Sequence, residues 1–248
     1  MKESLILISS VLIGVLFSRI LLKNKHNSKL LLTFSGAYFL AMTVLEILPQ
    51  VYGHPSENHN HHSIGLFVLL GVVVQYILET ISKGVEHGHI HLHKKEQFPF
   101  GIFGGLFLHS IIEGIPVANA ESHNFMWAIF VHNIPVSMIL FSALCQHTES
   151  NAKRFLFMTL FALAAPMGYF LGKHTIISNY SLEMSAIVSG IFLHISTVIL
   201  FESNEGHKFN LKKFGSILVG FILAYLTVSM HVHSCLLYTS DAADEGLG

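Results

Sequence analysis

The chain has 248 residues, of which 52% are hydrophobic and only 12% are charged. A soluble domain carries roughly 25% charged residues, so this composition excludes an ordinary soluble protein and favours a chain buried in a lipid bilayer. The formal net charge of −1 offers no basic surface, and we therefore predict no nucleic-acid partner.

Eight apolar runs in the sequence are long enough to cross a bilayer. We therefore predict an all-α polytopic membrane protein, with eight transmembrane helices in a single domain over residues 1–233. The predicted helices are Leu5–Leu22, Leu30–Tyr52, Ile64–Ile81, Phe100–Ala120, Phe125–Cys145, Phe155–Leu171, Met184–Phe201 and Leu211–His231. Lys2 precedes the first run as it would in a signal peptide, but no small-residue cleavage site follows, so we expect a retained anchor.

The basic residues predict the orientation of the helices. All of the 14 Lys and Arg residues except Lys2 and Lys173 lie in or beside the odd-numbered connections. Because positive charge is enriched on the cytoplasmic side of a membrane, we predict that these connections are cytoplasmic and that both termini lie outside. The compact loops favour a multi-pass protein of a bacterial inner (plasma) membrane.

Residues at the end of the chain differ in character from the helices before them. Cys235–Glu245 resembles the read-through translation of a sequencing adapter, so we interpret residues 234–248 as a non-native tail and exclude them from functional reasoning. Cys145 is then the one native cysteine, which cannot form an internal disulfide.

Histidine is concentrated in two of the predicted loops. The outer loop after the second helix holds His54, His59, His61 and His62, and the cytoplasmic loop after the third holds His87, His89, His91 and His93. Such tracts are typical of metal binding. Their alternating spacing in a loop defines no fixed geometry, so we expect metal capture or sensing there, and a solvated polar loop is the alternative.

The fourth and fifth predicted helices carry polar side chains at matched depth. His109 and Glu113 lie one turn apart on one face of the fourth helix, and His132 and Asn133 lie in the fifth. A four-residue connection makes the two helices antiparallel neighbours, with Glu113 and His132 each about 10 Å below the outer boundary. Because ionisable groups at this depth are costly, we predict a functional site where a carboxylate and imidazoles converge on one metal ion.

Four sequence patterns resemble the ZIP family of divalent metal ion transporters. They are SGAYFLAMTVLEILP, HSIIEGIPVA, HNIP and SGIFLHISTVILFES, and with the eight spans and the histidine-rich loop after the third helix the resemblance covers nearly all of residues 1–233. It implies transport of zinc, iron or manganese ions into the cytoplasm through a ZIP-like helical bundle, at a site between helices four and five. His109, Glu113, His132 and Asn133 match family ligand positions, and Ser110 stands where asparagine is more common.

Two positions depart from the family pattern. Val136 follows the helix-five proline, where the family usually has glutamate, and Ala165 precedes the helix-six proline, where the family often has an acid. Two metal ions with a single carboxylate would be poorly neutralised. The sequence therefore predicts one ion per site, or a divergent substrate.

The ligand types narrow the choice of ion. Imidazole, carboxylate and amide together suit Zn, Fe, Mn, Co or Ni, and zinc is our first choice. The ion is the transported substrate, and we predict no separate cofactor. Because binding needs neutral imidazole, uptake should weaken as His109 and His132 are protonated. His194 either lines the pathway as a third wall or is a buried packing histidine. Glu46 and Glu79 could guide the ion or make polar contacts between helices, and the sequence favours the second.

The sequence is compatible with two other classes of function. An intramembrane zinc-dependent hydrolase would also place histidines and an acid within helices, but no HExxH motif is present, so we predict that the protein is not an enzyme. A metal sensor without transport is the other alternative, in which Val136 and Ala165 mark lost transport. The sequence also leaves open whether the chain forms a homodimer.

Overall fold

The computed structural model describes residues 2–21, 25–53, 61–84, 100–119, 124–202 and 210–244, and the regular structure of these residues is entirely helical. We number the long helices in chain order as α1 (Lys2–Leu21), α2 (residues 25–53), α3 (His61–Ser82), α4 (Phe100–Val117), α5 (Asn124–His147), α6 (Asn151–His174), α7 (Ser181–Glu202) and α8 (Leu211–Asp244). A short 3-10 turn, Ile176–Tyr180, precedes α7. Of the histidine-rich loops, His54, His59, His87, His89, His91 and His93 lie outside the described residues.

The predicted all-α polytopic fold is confirmed. Helices α2 to α8 each contain a segment long and apolar enough to cross a membrane. α1 is a further helix of 20 residues, and its Leu7 and Val11 are buried in the common core. The backbone of α8 remains helical to Asp244, through most of the predicted non-native tail of residues 234–248.

The second helix is not a uniform α-helix. It consists of an α-helical segment Lys25–Met42, a π-helical turn Thr43–Ile47 and a final segment Leu48–Gly53. Such π-helical turns are rare and often mark functional regions of helices. Within this turn the Glu46 carboxylate accepts a hydrogen bond of 2.7 Å from the Gln50 amide, a contact inside α2.

Glycines bring α4 and α6 into backbone contact. A side chain at Gly168 would collide with the Ile111 carbonyl, and one at Gly172 would collide with the Ile115 carbonyl, four residues further along each helix. The matching increments show that α4 and α6 run parallel. Small residues permit this close approach in membranes, where helices associate through van der Waals packing. α4 consequently packs chiefly along α6, and it meets its chain neighbour α5 over a shorter length.

Two further helix pairs also run parallel. On α2 and α8, the Ser216 hydroxyl donates to the Leu30 carbonyl, and Tyr38 lies beside Thr227 further along both helices. On α3 and α7, Gly71 lies against the Ile187 carbonyl, and further along both helices Glu79 lies 3.6 Å from His194. In each parallel pair an even number of connections separates the two helices, as eight alternating spans require.

Candidate metal centre

His109 and Glu113 form the first part of the centre, on one face of α4. Their spacing of four residues places the side chains one above the other. His109 Nε2 lies 2.8 Å from Glu113 Oε1, and both side chains are almost completely buried. Burying an ionisable carboxylate and imidazole inside a membrane is costly in free energy unless a partner neutralises the charge.

His132 of α5 completes a three-residue cluster with this pair. One ligand atom from each of His109, Glu113 and His132 lies within 4.8 Å of the other two. The two imidazole rings face each other edge to face, with centroids 6.0 Å apart. Among the residues that the structure describes, neither ring nitrogen of His132 has a hydrogen-bond partner, although the side chain is fully buried. Buried polar atoms normally have such partners, so these two nitrogens are candidate ligands for a metal ion.

Ser110 and Asn133, the two other predicted ligands near the cluster, are both buried beside it. Each directly follows a cluster histidine, and a residue one position along a helix is rotated by about 100°. The Asn133 Nδ2 atom has no hydrogen-bond partner within the described part of the chain. Both side chains therefore lie at the edge of the cluster rather than on its shared face.

His194 does not join the cluster. It lies on α7, where its Nδ1 atom is 3.6 Å from Glu79 Oε2 of α3. The sequence left open whether His194 lies on the pathway or packs between helices, and the structure places it beside a second carboxylate, that of Glu79.

The two departures from the family pattern lie at the centre and are apolar and buried. Val136 is one turn after His132 on the same face of α5. Ala165 is on α6, where its backbone lies against Gly114, the residue after Glu113. Neither position supplies a second carboxylate, so Glu113 is the one acidic side chain among the three residues of the cluster.

In both α4 and α5, a proline lies three residues after a residue of the cluster. Pro116 lies three residues after Glu113, and Pro135 lies three residues after His132, both inside continuous helices. A proline removes the hydrogen bond to the carbonyl four residues earlier. Backbone carbonyls freed in this way must find other partners in a membrane, and here they lie beside the cluster.

Three phenylalanine rings from different helices pack around His132. The Phe39 ring of α2 stacks on the His132 ring, with centroids 4.6 Å apart and planes inclined by 11°. Phe192 of α7 packs behind Phe39 at 3.9 Å, and Phe125 of α5 packs against Phe192. The stack fixes the plane of the imidazole and keeps water away from it. Phe39 carries no signal in the sequence, because an apolar residue in a spanning helix has no distinguishing chemistry.

Replacing Phe39 with leucine should weaken zinc binding by about tenfold or more, since loss of a residue that orients a metal ligand typically costs about 10–100-fold in affinity. The measurement is the zinc Kd of the purified protein. Phe34→Leu is the matched control, because Phe34 lies on the same helix and stacks on Tyr38 instead. Equal affinities in the two variants would contradict the orienting role of Phe39.

The fold and the cluster define a multi-pass membrane protein with a buried set of ligands suited to a divalent metal ion. The family model of the ZIP zinc transporter matches residues 99–227, just over half of the chain. The chain therefore belongs to the ZIP zinc transporter family, as its motifs predicted.

A similar protein of known sequence is the protein zntD of Dictyostelium discoideum. The two are 31% identical over 150 residues, which cover 52% of this chain and 22% of zntD. The chain therefore spans about a fifth of the length of that relative.

Proposed function

We propose that this chain transports divalent transition-metal ions, zinc first among them, across the membrane into the cytoplasm. The observation that supports the proposal is the buried cluster of His109, Glu113 and His132 between α4 and α5. Family membership gives the same class of activity, the movement of divalent metals.

The composition of the cluster supports zinc as the principal substrate. Two imidazole nitrogens and one carboxylate oxygen are borderline ligands that suit Zn and neighbouring metals, whereas Mg and Ca prefer oxygen alone. Three protein ligands leave at least one coordination position for water or for the amide oxygen of Asn133. An incompletely enclosed ion can be released, which transport requires.

The proposed direction, into the cytoplasm, follows from membership of the ZIP family, and the charge asymmetry of the loops supplies the orientation of the helices. The positive residues favour a cytoplasmic position for the odd connections, and in that orientation ions entering from the outer side would meet Glu113 and His132 before the deeper His109. A bacterial inner membrane is our proposal for the location, based on the short connections.

Flux through sealed vesicles tests the proposal directly. The full chain is reconstituted, and zinc entry is followed with an enclosed fluorescent indicator in the presence of competing Fe, Mn or Cd. We expect saturable zinc uptake that Cd inhibits. Zinc binding without flux above protein-free vesicles would favour the sensor, and zinc-dependent peptide hydrolysis would favour the enzyme; either result would refute transport.

The loop histidines should modulate flux without carrying it. Replacing His87, His89, His91 and His93 together with serine is expected to change the apparent affinity or the regulation of uptake, while saturable flux persists. The reason is that the three-residue cluster lies in α4 and α5, apart from this loop in the sequence. Uptake is measured in the same vesicles. Complete loss of flux would assign these histidines to the transport site.

A further inference from the structure

A second histidine–carboxylate pair lies between α3 and α7, outside the three-residue cluster. Glu79 Oε2 is 3.6 Å from His194 Nδ1, and the side chains of Glu79 and His194 are 22% and 17% exposed. Polar groups inside membrane helices are functional candidates by default, since each is costly to bury. The pair therefore requires a functional explanation of its own, in addition to that of the main centre.

The packing of α3 on α7 holds the two residues in place. Gly71 lies against the Ile187 carbonyl, and Gly190 lies against the Val68 carbonyl, so the backbones touch a short distance from the pair. Neither helix can take a larger residue at these glycines without moving. The relative positions of Glu79 and His194 are consequently set by backbone contact rather than by flexible side chains.

The end of α3 also fixes Glu79. The Gly84 amide donates to the Glu79 carbonyl at 3.1 Å, while Lys83 and Gly84 adopt positive φ angles of 56° and 67°. This is the arrangement in which a left-handed residue closes a helix C-terminus. Glu79 thus lies in the last turn of α3, with a constrained backbone.

The pair lies about one helical turn from the main centre along the bundle. Gly105 of α4 lies against Ser82 and against the Leu78 carbonyl, which places it at the level of Glu79. His109 is four residues further along α4, a rise of about 6 Å. In the predicted topology this displacement is towards the cytoplasm, so an ion leaving His109 inwards would pass the pair.

Gln75 extends the polar surface from the pair towards the main centre. It lies one turn before Glu79 on the same face of α3, and its side chain is fully buried. An amide oxygen, a carboxylate and an imidazole together suit the same divalent metals as the main centre. The partial exposure of Glu79 and His194 leaves room for water on a bound ion.

We propose that Glu79 and His194, with Gln75 beside them, bind a divalent metal ion at a second and weaker site. This inference rests on the proposed transport function, because it makes the pair the next position of an ion released from His109. Conduction needs binding that is weak enough to release the ion and spread over several sites, and a partly hydrated site one turn away meets both needs.

Zinc titration of the purified full chain, by calorimetry, tests the second site. The background has the loop histidines His54, His59, His61, His62, His87, His89, His91 and His93 replaced by serine, so that they do not bind zinc. Two steps are expected, a tight one and a weaker one. Glu79→Gln and His194→Gln should each weaken the second step by about tenfold or more, and Glu113→Ala should remove the first.

Two variants serve as matched controls, one for the loss of a carboxylate and one for the loss of an imidazole. Glu183→Gln removes an acid from the start of α7, and His174→Gln removes an exposed imidazole from α6; neither should change either step. Glu79→Asp keeps the carboxylate and should retain part of the weaker step. Thermal unfolding of each variant without metal verifies that it is folded.

The results separate the two proposals. A weaker step that survives unchanged in Glu79→Gln and His194→Gln, or a wild-type protein with the tight step alone, would overturn the second site and leave the main centre standing. A tight step that survives in Glu113→Ala would overturn the main centre instead. If Glu79→Gln fails to fold, Glu79→Asp and His194→Gln decide the question.

Discussion

Replacing His109 or Glu113 with alanine is expected to abolish saturable zinc uptake in reconstituted vesicles, while the protein remains folded in the membrane. Among the described residues the cluster has three candidate His and Glu ligands, so each replacement removes a third of them. Even the loss of a residue that merely supports a ligand costs about 10–100-fold in metal affinity, and the loss of the ligand itself should cost more.

Zinc affinity should fall further on replacement of Glu113 than on replacement of His109, although uptake is lost in both cases. It supplies the one carboxylate of the cluster, so without it a divalent ion would be held in a buried site by neutral imidazoles alone. Burying an ion without an opposing charge is strongly unfavourable. Glu113→Gln, which keeps the shape of the side chain and removes its charge, should therefore be as inactive as Glu113→Ala.

His174→Ala and Glu183→Ala serve as controls for the loss of an imidazole and of a carboxylate. His174 lies at the end of α6 and Glu183 at the start of α7, and neither belongs to the cluster. Vesicle uptake and the amount of membrane-inserted protein are measured for all variants in parallel. Normal uptake by His109→Ala or Glu113→Ala would remove the main centre from the pathway.

The helices themselves were predictable from the sequence, because runs such as Ile64–Ile81 carry their signal in local hydropathy. The structure extends them, for example to Asn151–His174 where the sequence predicted Phe155–Leu171. Polar residues such as Asn151 and His174 at helix ends lower local hydropathy without ending the helix. The π-helical turn Thr43–Ile47 was not predicted, since its residues have no local preference for that geometry.

Helix pairing was harder to predict than helix position. The short connection correctly makes α4 and α5 neighbours, yet the main partner of α4 is α6. A signal for that pairing was present, because Gly168 and Gly172 form a GxxxG pattern of the kind that brings membrane helices together.

The candidate centre was predictable to the extent that it depends on one helix or one short hairpin. His109 and Glu113 follow from a four-residue spacing, and His132 follows from counting across the connection. The contact between Glu79 and His194 has no such basis, because it depends on the register of two helices far apart in the sequence. That register is set by the backbone contacts of Gly71 and Gly190.

Introducing glutamate at Val136 is expected to create a second ion position beside the first. Val136 is buried and lies one turn after His132 on the same face of α5, and His132 lies beside His109 in the cluster. A carboxylate there could share an ion with His109 and supply the negative charge that a second divalent ion lacks. The unmodified chain should hold one ion between α4 and α5.

The same substitution should make stability depend on metal. Without an ion, the introduced carboxylate would be an uncompensated buried charge, which costs about 3–5 kcal/mol when a partner is missing. Zinc at a free concentration of about 100 times its Kd would restore about 2.7 kcal/mol of stability. The melting temperature of Val136→Glu should therefore fall in chelator and rise with zinc more steeply than that of the unmodified chain. Val136→Gln, of the same size and without charge, should show no such gain.

Metal stoichiometry decides between one ion and two. It is measured in the Glu79→Gln background, so that the second site proposed between α3 and α7 does not contribute. One tightly bound zinc in the parent and two in Val136→Glu are expected, because the added carboxylate neutralises the added ion. Two tight ions in the parent would show that Val136 has not limited the centre to one, and that neutral ligands such as Asn133 balance a second ion without a second carboxylate.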